Sequence, residues 1–444
     1  MNAGSTRLKS QIAWTLATRV LMIVNSVGAG IIVAHWLGAK GVGQLAVINV
    51  AIATVVQVCS FGLPSANTYF ISQDQNQLRK AAINSLVLAL FVGSLLALGL
   101  NYVAELRPDW FGFVPATLIR IASVSIPSQL ITLIGLNILL AVGKIREFNL
   151  LDLVGQSFVL INALLALVVF RRGLTTLVLL NTAAALVVSL SVGVLIWIAA
   201  RRIARSQWRP DASLLAQMIR YGLKFHISIL AGAIIFRADL LVVNHFRGVD
   251  EAGVYSVATQ FGMLLMLLPS VSATLLFPRV AAQQDQRGET TALVVRFTAF
   301  VTFFCCVAAV PFSFLLPLIY GAEFTDASRL LLILLPGVYL IGLESVLVQH
   351  FNALGLPRVI PVYWVMTLII NLVLVFSLVP RLGAQGAAVA STVSYALIFA
   401  LVTWQFLTST RLSFSNVFIL KRSELRQLFS VSTLVGADSR SLRG

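Results

Sequence analysis

The sequence has little charge for its length. Asp, Glu, Lys and Arg make up 11% of its 444 residues, and 59% of the residues are hydrophobic. A soluble domain has about 25% charged and roughly 45–50% apolar residues. The three cysteines, Cys59, Cys305 and Cys306, all lie in apolar stretches, so they predict neither a disulfide framework nor a metal site. This composition excludes an ordinary soluble protein and indicates a chain that lies mostly in a membrane.

Catalytic signatures are also missing. No glycine-rich loop ends in Lys-Ser or Lys-Thr, which argues against direct ATP hydrolysis. The four histidines are scattered without metal-ligand spacing. The net charge of +16 does not indicate a nucleic-acid partner, because the basic residues lie between apolar spans and not on a soluble basic face. We therefore expect no enzyme, no cofactor and no metal.

Twelve apolar segments are long enough to cross a membrane, since a transmembrane helix needs about 20 mainly apolar residues. They are 11–37, 42–71, 81–103, 116–142, 148–170, 174–200, 222–246, 253–277, 293–319, 328–354, 358–379 and 385–409. Gly62-Leu63-Pro64 interrupts the second segment and Pro127 the fourth, so a tilt or a break is expected in both. The sequence thus predicts an all-α polytopic membrane protein with 12 transmembrane helices.

The basic residues predict the orientation of these spans. If the N-terminus is cytoplasmic, most of the 32 Lys and Arg residues fall in inner loops and tails, as the positive-inside rule requires. Arg171 and Arg172, on an outer loop, violate the rule. The longest internal inner loop, 201–221, is then a cytoplasmic linker between an N-terminal lobe, 1–200, and a C-terminal lobe, 222–410. Residues 411–444 form a cytoplasmic tail.

One stretch of sequence occurs twice, about 210 residues apart, because 33–47 aligns with 243–257 without a gap. The coinciding residues include His35 with His245, Gly38 with Gly248 and Gly43 with Gly253. A constant offset predicts two fused half-molecules, and chance matching of small residues in apolar helices is the alternative. Because each half has six spans, the halves would be related by a pseudo-two-fold axis along the membrane normal.

Charged residues inside membrane spans are costly and mark candidate functional sites. They are Arg19, Asp152, Arg237, Asp239 and Glu344. Arg237 and Asp239 are two residues apart and point to nearly opposite helix faces. We expect Arg237 to face a central cavity and Asp239 to bind a neighbouring helix. The alternative for all five is that they form ion pairs between helices that stabilise packing.

Arg19 and Arg237 lie in counterpart spans of the two halves. Two buried guanidinium groups at a shared cavity would suit an anion, above all a phosphate, which arginine binds through two parallel hydrogen bonds. We therefore predict substrate binding by Arg237 and Arg19, with Arg120 at the outer end of the fourth span as a third candidate. The carboxylates Asp239, Glu344 and Asp152 are candidates for the cavity or for coupling.

Uncharged polar residues allow two interpretations each. His35 and His245 occupy the same position near the outer ends of their spans, either as packing residues or as outer-gate groups whose charge changes near neutral pH. Asn and Gln residues in the spans either bond across helices or line a hydrated path for a hydroxyl-rich cargo.

Several short motifs resemble a known family. They are Leu37-Gly-Ala-Lys-Gly-Val-Gly43-Gln, Phe61-Gly-Leu-Pro-Ser-Ala66 before Tyr69-Phe-Ile-Ser72, Arg237-Ala-Asp239 leading into Ala252-Gly-Val-Tyr-Ser256, Leu275-Leu-Phe-Pro-Arg279 and Gly383-Ala-Gln-Gly-Ala-Ala388. With twelve spans in two fused sixes, residues 8–410 resemble the multidrug/oligosaccharidyl-lipid/polysaccharide exporter superfamily. Within it, the chain is most similar to the O-antigen and exopolysaccharide flippases of the Wzx type.

The resemblance implies a V-shaped pair of six-helix lobes around a central cavity. Such proteins move undecaprenyl-diphosphate-linked oligosaccharide repeat units across the bacterial cytoplasmic membrane by alternating access, with both termini in the cytoplasm here. The implied partners are membrane lipids, this substrate, and a polysaccharide polymerase or glycosyltransferases. The sequence leaves open whether transport is downhill or coupled to an ion, which would be H⁺ or Na⁺. The alternatives are a multidrug antiporter, expected to have a more acidic cavity, a lipid II flippase, which usually has two more spans, and a non-transporting scaffold for polysaccharide assembly.

Overall fold

The structure, a computed structural model, describes residues 2–111, 114–203, 207–283, 285–420 and 424. Apart from short 3₁₀ turns and a π-helical continuation of α6 over Leu164–Val169, the regular elements of these residues are α-helices. The first half contains α1 (Asn2–Cys59), α2 (Leu63–Gln73), α3 (Leu78–Leu106), α4 (Ala116–Ser123), α5 (Ile126–Ala141), α6 (Ile145–Ala163) and α7 (Leu174–Ile203). The second half contains α8 (Ala212–Ile235), α9 (Ala238–Arg247), α10 (Val249–Leu265), α11 (Leu267–Gln283), α12 (Glu289–Ser313), α13 (Leu316–Tyr320), α14 (Thr325–Ala353), α15 (Val359–Leu382), α16 (Ala384–Thr410) and α17 (Phe414–Phe418).

Eleven helical stretches among the described residues are long and apolar enough to cross a membrane, so the chain is a multi-pass membrane protein. The first stretch, Ala17–Cys59, has 43 residues. A straight helix of that length would measure about 65 Å, roughly twice the 30 Å hydrocarbon core. Gly38 inside it is non-helical, with φ 66° and ψ −172°, so the stretch bends at the boundary between the first two predicted spans. The count of twelve and the two-lobe arrangement stay predictions.

Both predicted helix breaks are confirmed. The second predicted span is interrupted between α1 and α2, where Gly62 takes a left-handed φ of 71°. The fourth is interrupted between α4 and α5, and Pro127 lies in the first turn of α5, where proline costs no hydrogen bond. The Gly62 turn also packs against α8, because a Cβ on Gly222 would lie 2.6 Å from the Gly62 carbonyl oxygen.

The two copies of the repeat meet where the segment after Gly38 crosses α10. A Cβ on Gly43 would collide with the Val249 carbonyl oxygen and lie 3.0 Å from the Gly253 nitrogen. A Cβ on Gly253 would collide with the Ala39 carbonyl oxygen and lie 2.9 Å from the Gly43 nitrogen. Positions 39 and 249 are counterparts in the repeat, as are 43 and 253. The contact is therefore reciprocal, which is the local geometry expected at a two-fold axis.

The connection between α7 and α8 is shorter than the predicted linker 201–221, because both helices extend into that range. Asp211 caps α8: its carboxylate accepts a hydrogen bond from the Leu214 nitrogen at 3.0 Å and pairs with the Lys80 ammonium at 2.9 Å. The Asn84 amide bonds the backbone of Asp211 through both its nitrogen and its oxygen, at 2.8 and 2.9 Å. These contacts fix the described part of the connection against α3.

The described part of the predicted tail consists of residues 411–420, which contain α17, and of Glu424. Glu424 pairs with Arg296 of α12 at 2.7 Å, and the Arg296 residue is only 8% exposed. The remaining residues of the predicted tail after 420 lie outside the described part of the chain.

Candidate substrate cavity

A cavity of about 670 Å³ lies among α2, α8, α14 and α15. Its polar lining consists of Ser65, Ser228, Gln349 and Asn352, and its aromatic lining of Tyr221, Phe236 and Trp364. None of its described lining residues carries a charge. Amides and hydroxyls both donate and accept hydrogen bonds, and aromatic rings offer flat apolar faces. Such a lining suits a neutral, hydroxyl-rich ligand.

Arg237 occupies a helix break directly after one wall of this cavity. One apolar stretch, His226–Arg247, is divided because α8 ends at Ile235 and α9 begins at Ala238. Arg237 has φ −136° and ψ −27°, outside the helical region. Its side chain is exposed, and within the described part of the chain it makes no hydrogen bond or ion pair. Phe236, the preceding residue, lines the cavity.

The break brings two positive features together. The N-terminus of a helix carries a partial positive charge from its unpaired N–H groups, and Arg237 at the start of α9 adds a full charge. The helix dipole is unfavourable for a cation at this position and favourable for an anion. Asp239 in the first turn of α9 already offsets part of this dipole, so a bound anion would be stabilised chiefly by the Arg237 guanidinium.

Asp239 lies on the other side of α9, among neighbouring helices. The residue is 2% exposed, and its carboxylate accepts hydrogen bonds from the Tyr255 hydroxyl, from the Ser391 hydroxyl at 2.9 Å and from the Leu240 nitrogen at 2.8 Å. Three donors are what a buried carboxylate needs to offset the loss of water. Asp239 thus ties α9 to α10 and α16.

The structure brings together one pair of predicted site residues. Arg19 donates to Asp152 at 3.0 Å, and beside it Asn25 donates to Ser157 at 2.9 Å, so both contacts join α1 to α6. The Arg19 and Asp152 side chains are 39% and 25% exposed. The charge of Arg19 is therefore already matched by an acid, as the ion-pair interpretation expects.

The other two charged candidates lie elsewhere. Arg120 pairs with Glu105 on α3, and both side chains are more than half exposed, at 61% and 55%. Glu344 on α14 is 2% exposed, and its Oε1 has no hydrogen-bond partner among the described residues. Neither contributes to the lining of the large cavity.

The two repeat histidines differ in their contacts. His245 Nδ1 lies 3.2 Å from the carbonyl oxygen of Asp109, in the other half of the chain. His35 Nδ1 lies 3.0 Å from the carbonyl oxygen of Ile31, on its own helix. A second contact between the halves lies close to the first repeat, where the Ala39 nitrogen donates to Glu323 at 2.7 Å. The halves are thus joined by different groups at their two repeats.

The amide residues lie both between helices and in cavity linings. Asn67 bonds Ser85 at 2.9 Å, and Gln260 bonds Ser26 at 3.0 Å across the two halves. Gln260 also lines, with Asn49, a smaller cavity of about 210 Å³. The cavity aromatics were not predicted from the sequence, because an aromatic residue in an apolar span has the same pattern whether it faces lipid or a cavity.

Comparison with known proteins gives one family and one fold. The family described as polysaccharide biosynthesis protein matches residues 9–284. A probable low-salt glycan biosynthesis flippase, Agl15 of Haloferax volcanii, is 24% identical over 441 residues, covering 94% of this chain and 90% of the relative.

Several solved structures share the fold, among them a flippase and a multidrug transporter. The first is the lipid II flippase MurJ in an inward closed conformation, with a TM-score of 0.75, 14% identity and coverage of 90% of this chain and 89% of that chain. The second is an inward-facing MATE multidrug transporter of the MOP superfamily, with a TM-score of 0.69, 16% identity and coverage of 90% of this chain and 99% of that chain. The predicted resemblance and the all-helical membrane fold are confirmed. Because the family match spans more than half of its length, the chain belongs to the polysaccharide biosynthesis protein family.

Proposed function

We propose that this protein is a flippase, not an enzyme, and that it moves an oligosaccharide linked to a polyprenyl diphosphate across the membrane. The family, the flippase relative and the fold shared with MurJ support a transporter of glycan biosynthesis. The observation that carries the substrate assignment is a cavity whose described lining residues are uncharged polar and aromatic side chains, with the unpaired Arg237 directly after the lining residue Phe236 in sequence.

The two parts of the site suit the two polar parts of such a substrate. Sugar rings present hydroxyl groups at their edges, which can form hydrogen bonds with Gln349 and Asn352. The faces of the rings carry apolar C–H groups, which can pack against Trp364. The diphosphate would lie at Arg237 and the N-terminus of α9, where a planar guanidinium offers two parallel donors. The lipid tail would stay in the bilayer.

The composition of the cavity disfavours the multidrug antiporter. A cationic drug is best stabilised by a carboxylate, and none of the described lining residues is one; the aromatic rings that are present bind a cation more weakly. For the coupling ion, H⁺ or Na⁺, Glu344 is our candidate for carrying a proton. A buried carboxyl without a partner is costly when charged and much less costly when protonated.

The test is transport by purified protein in proteoliposomes that contain an undecaprenyl-diphosphate-linked oligosaccharide. The fraction of sugar exposed to a membrane-impermeant glycosidase reports flipping. We expect Arg237→Ala to abolish flipping and Arg237→Lys to restore part of it, because an ammonium lacks the planar fork. Arg329→Ala, which removes another exposed arginine, is the matched control.

The cavity is tested separately with Trp364→Ala, which we expect to slow flipping of the oligosaccharide-bearing lipid more than flipping of the same lipid carrying one sugar. Full flipping by Arg237→Ala, at wild-type protein abundance, contradicts the diphosphate site. If Trp364→Ala slows flipping of the oligosaccharide-bearing lipid and of the one-sugar lipid by the same factor, or slows neither, the sugar assignment is contradicted.

A further inference from the structure

An apolar slot of about 500 Å³ lies on the N-terminal half, between α3, α5 and α7. Leu86 and Leu190 on its walls are 39% and 69% exposed, so the slot opens on the surface of the bundle. Gly193 lies in its lining, and a Cβ built on this glycine would have nothing within 4 Å. The space beside Gly193 is therefore open and is not filled by neighbouring side chains.

The end of the slot near the α7–α8 connection is aromatic and basic. Trp197 and Trp208 line it, and tryptophan favours the boundary between the hydrocarbon core and the headgroups. The Arg201 guanidinium lies 3.6 Å from the centre of the Trp197 ring, and the Arg79 guanidinium lies 5.9 Å from that of Trp208. The slot thus has an apolar body and a cationic mouth.

Trp208 is held in position although it lies between helices. Asp211, three residues later, is bonded to Lys80 and Asn84 of α3, and the Arg79 Nε donates to the carbonyl oxygen of Ala200 at 3.2 Å. These contacts join the end of α7 and the following connection to α3. The mouth is a built feature of the fold and not the surface of a free loop.

We infer that the slot binds one acyl chain of an anionic diacyl phospholipid, with the lipid phosphate at Arg201 and Arg79. Its lining on α7 runs from Ser189 to Trp197, which corresponds to about 12 Å of helix. That is close to the depth of one leaflet, half of the roughly 30 Å hydrocarbon core. A long polyprenyl tail exceeds this length. Guanidinium groups at the mouth select a phosphate headgroup with a net negative charge over a zwitterionic one.

The experiment measures lipid retention by native mass spectrometry of the purified full chain, with phosphatidylglycerol or phosphatidylcholine added. We expect the wild type to retain one phosphatidylglycerol under conditions that remove phosphatidylcholine. Gly193→Phe fills the open space and should abolish this retention. Gly99→Phe is the matched control, because Gly99 also lies in a helix with nothing within 4 Å of a Cβ but outside the slot lining.

A second variant tests the mouth without filling the slot. Arg201→Ala should weaken phosphatidylglycerol binding about fivefold, the effect of one basic group near an anionic headgroup. Arg202→Ala removes the same charge about 100° around the helix and should weaken binding less. If Gly193→Phe does not fold, the comparison of Arg201→Ala with Arg202→Ala alone tests the proposal.

Three results would overturn the assignment. In the first, the wild type retains the two phospholipids equally. In the second, folded Gly193→Phe and Arg201→Ala both retain as much phosphatidylglycerol as the wild type. In the third, an equal concentration of polyprenyl phosphate displaces phosphatidylglycerol. None of these results depends on which cargo the protein transports.

Discussion

Replacement of Gly43 by alanine tests the crossing between the two repeats. The added Cβ would collide with the Val249 carbonyl oxygen, lie 2.8 Å from the Val249 carbonyl carbon and lie 3.0 Å from the Gly253 nitrogen. Ordinary van der Waals contact of a Cβ begins at 3.4 Å, so the two backbones must separate by at least the difference between 2.8 and 3.4 Å. Backbone atoms cannot rotate away as a flexible side chain would.

This separation has a predictable cost. Inserting a methyl group into a well-packed contact costs about 1–3 kcal/mol, and the helix propensity of alanine returns about 1 kcal/mol at most. Because the methyl group would meet backbone atoms, the upper part of this range applies, about 2–3 kcal/mol. After the gain in helix propensity, we expect Gly43→Ala to be less stable by about 1–2 kcal/mol and Gly253→Ala to behave similarly. Once one methyl group has separated the helices, the second meets less resistance. The double variant should therefore be destabilised by less than the sum of the single variants.

The assay is thermal unfolding of the purified protein in one detergent, with transport measured in parallel. Gly99→Ala serves as the control, because Gly99 has nothing within 4 Å of a Cβ and should tolerate the same change. Equal unfolding temperatures for the wild type and Gly43→Ala would refute the close crossing. Strict additivity of the two glycine changes would refute the reciprocal contact.

Three further results are expected. Tyr255→Phe removes a donor from the buried Asp239 and should lower stability by about 1–3 kcal/mol in thermal unfolding. The backbone N–H of Leu214, followed by Lys80, holds the pKa of Asp211 well below its usual range. A group with a depressed pKa contributes stability above its unfolded pKa of about 3.9, so the protection of the amides in residues 207–214, measured relative to the intrinsic exchange rate at each pH, should stay constant from pH 7 to 5 and fall below about pH 4. Glu323→Ala removes the acceptor of the Ala39 nitrogen and should widen the distance between spin labels at positions 40 and 322.

Each of these expectations has a control. Tyr102→Phe changes a tyrosine that is 67% exposed and should leave the unfolding temperature unchanged. In Asp211→Asn this protection should change little with pH, so a loss of protection below about pH 4 that persists in this variant contradicts the assignment. Asp326→Ala removes an exposed acid one helical turn from Glu323, and an equal widening in both variants shows that the Ala39 contact is not responsible.

The helices were predictable from the sequence because their cause is local. Runs of apolar residues must form helices in lipid, where every backbone polar group needs an internal partner. Gly62 and Pro127 revealed breaks because glycine and proline act on their own backbone. The break at Arg237 was not predicted, because Phe236-Arg237-Ala238 contains no glycine or proline. The early start of α8 was also missed, since Asp211 acts through capping and not through apolar pattern.

The site was only partly predictable, because the sequence of one span does not show which residues of other helices its side chains contact. The sequence identified Arg19, Asp152 and Arg237 by their cost in a membrane. It did not pair the first two, since 133 positions separate them. The cavity aromatics could not be assigned, because facing lipid and facing a cavity require the same apolar character.

The two halves make equivalent contacts at their crossing and different contacts elsewhere, which indicates that their arginines have different roles. At the crossing, both repeats keep the small residues that let their backbones touch, and Gly43 and Gly253 play equal parts. Away from the crossing the halves differ: Arg19 of the first span is bound to Asp152, whereas Arg237 of the counterpart span has no partner among the described residues and follows Phe236, a lining residue of the large cavity. A paired charge contributes to packing, and an unpaired one in a membrane needs another reason to be retained. We therefore expect Arg19→Ala to reduce the amount of folded protein and Arg237→Ala to reduce transport at normal abundance. If both variants lose abundance without a specific loss of transport, the asymmetry belongs to packing alone.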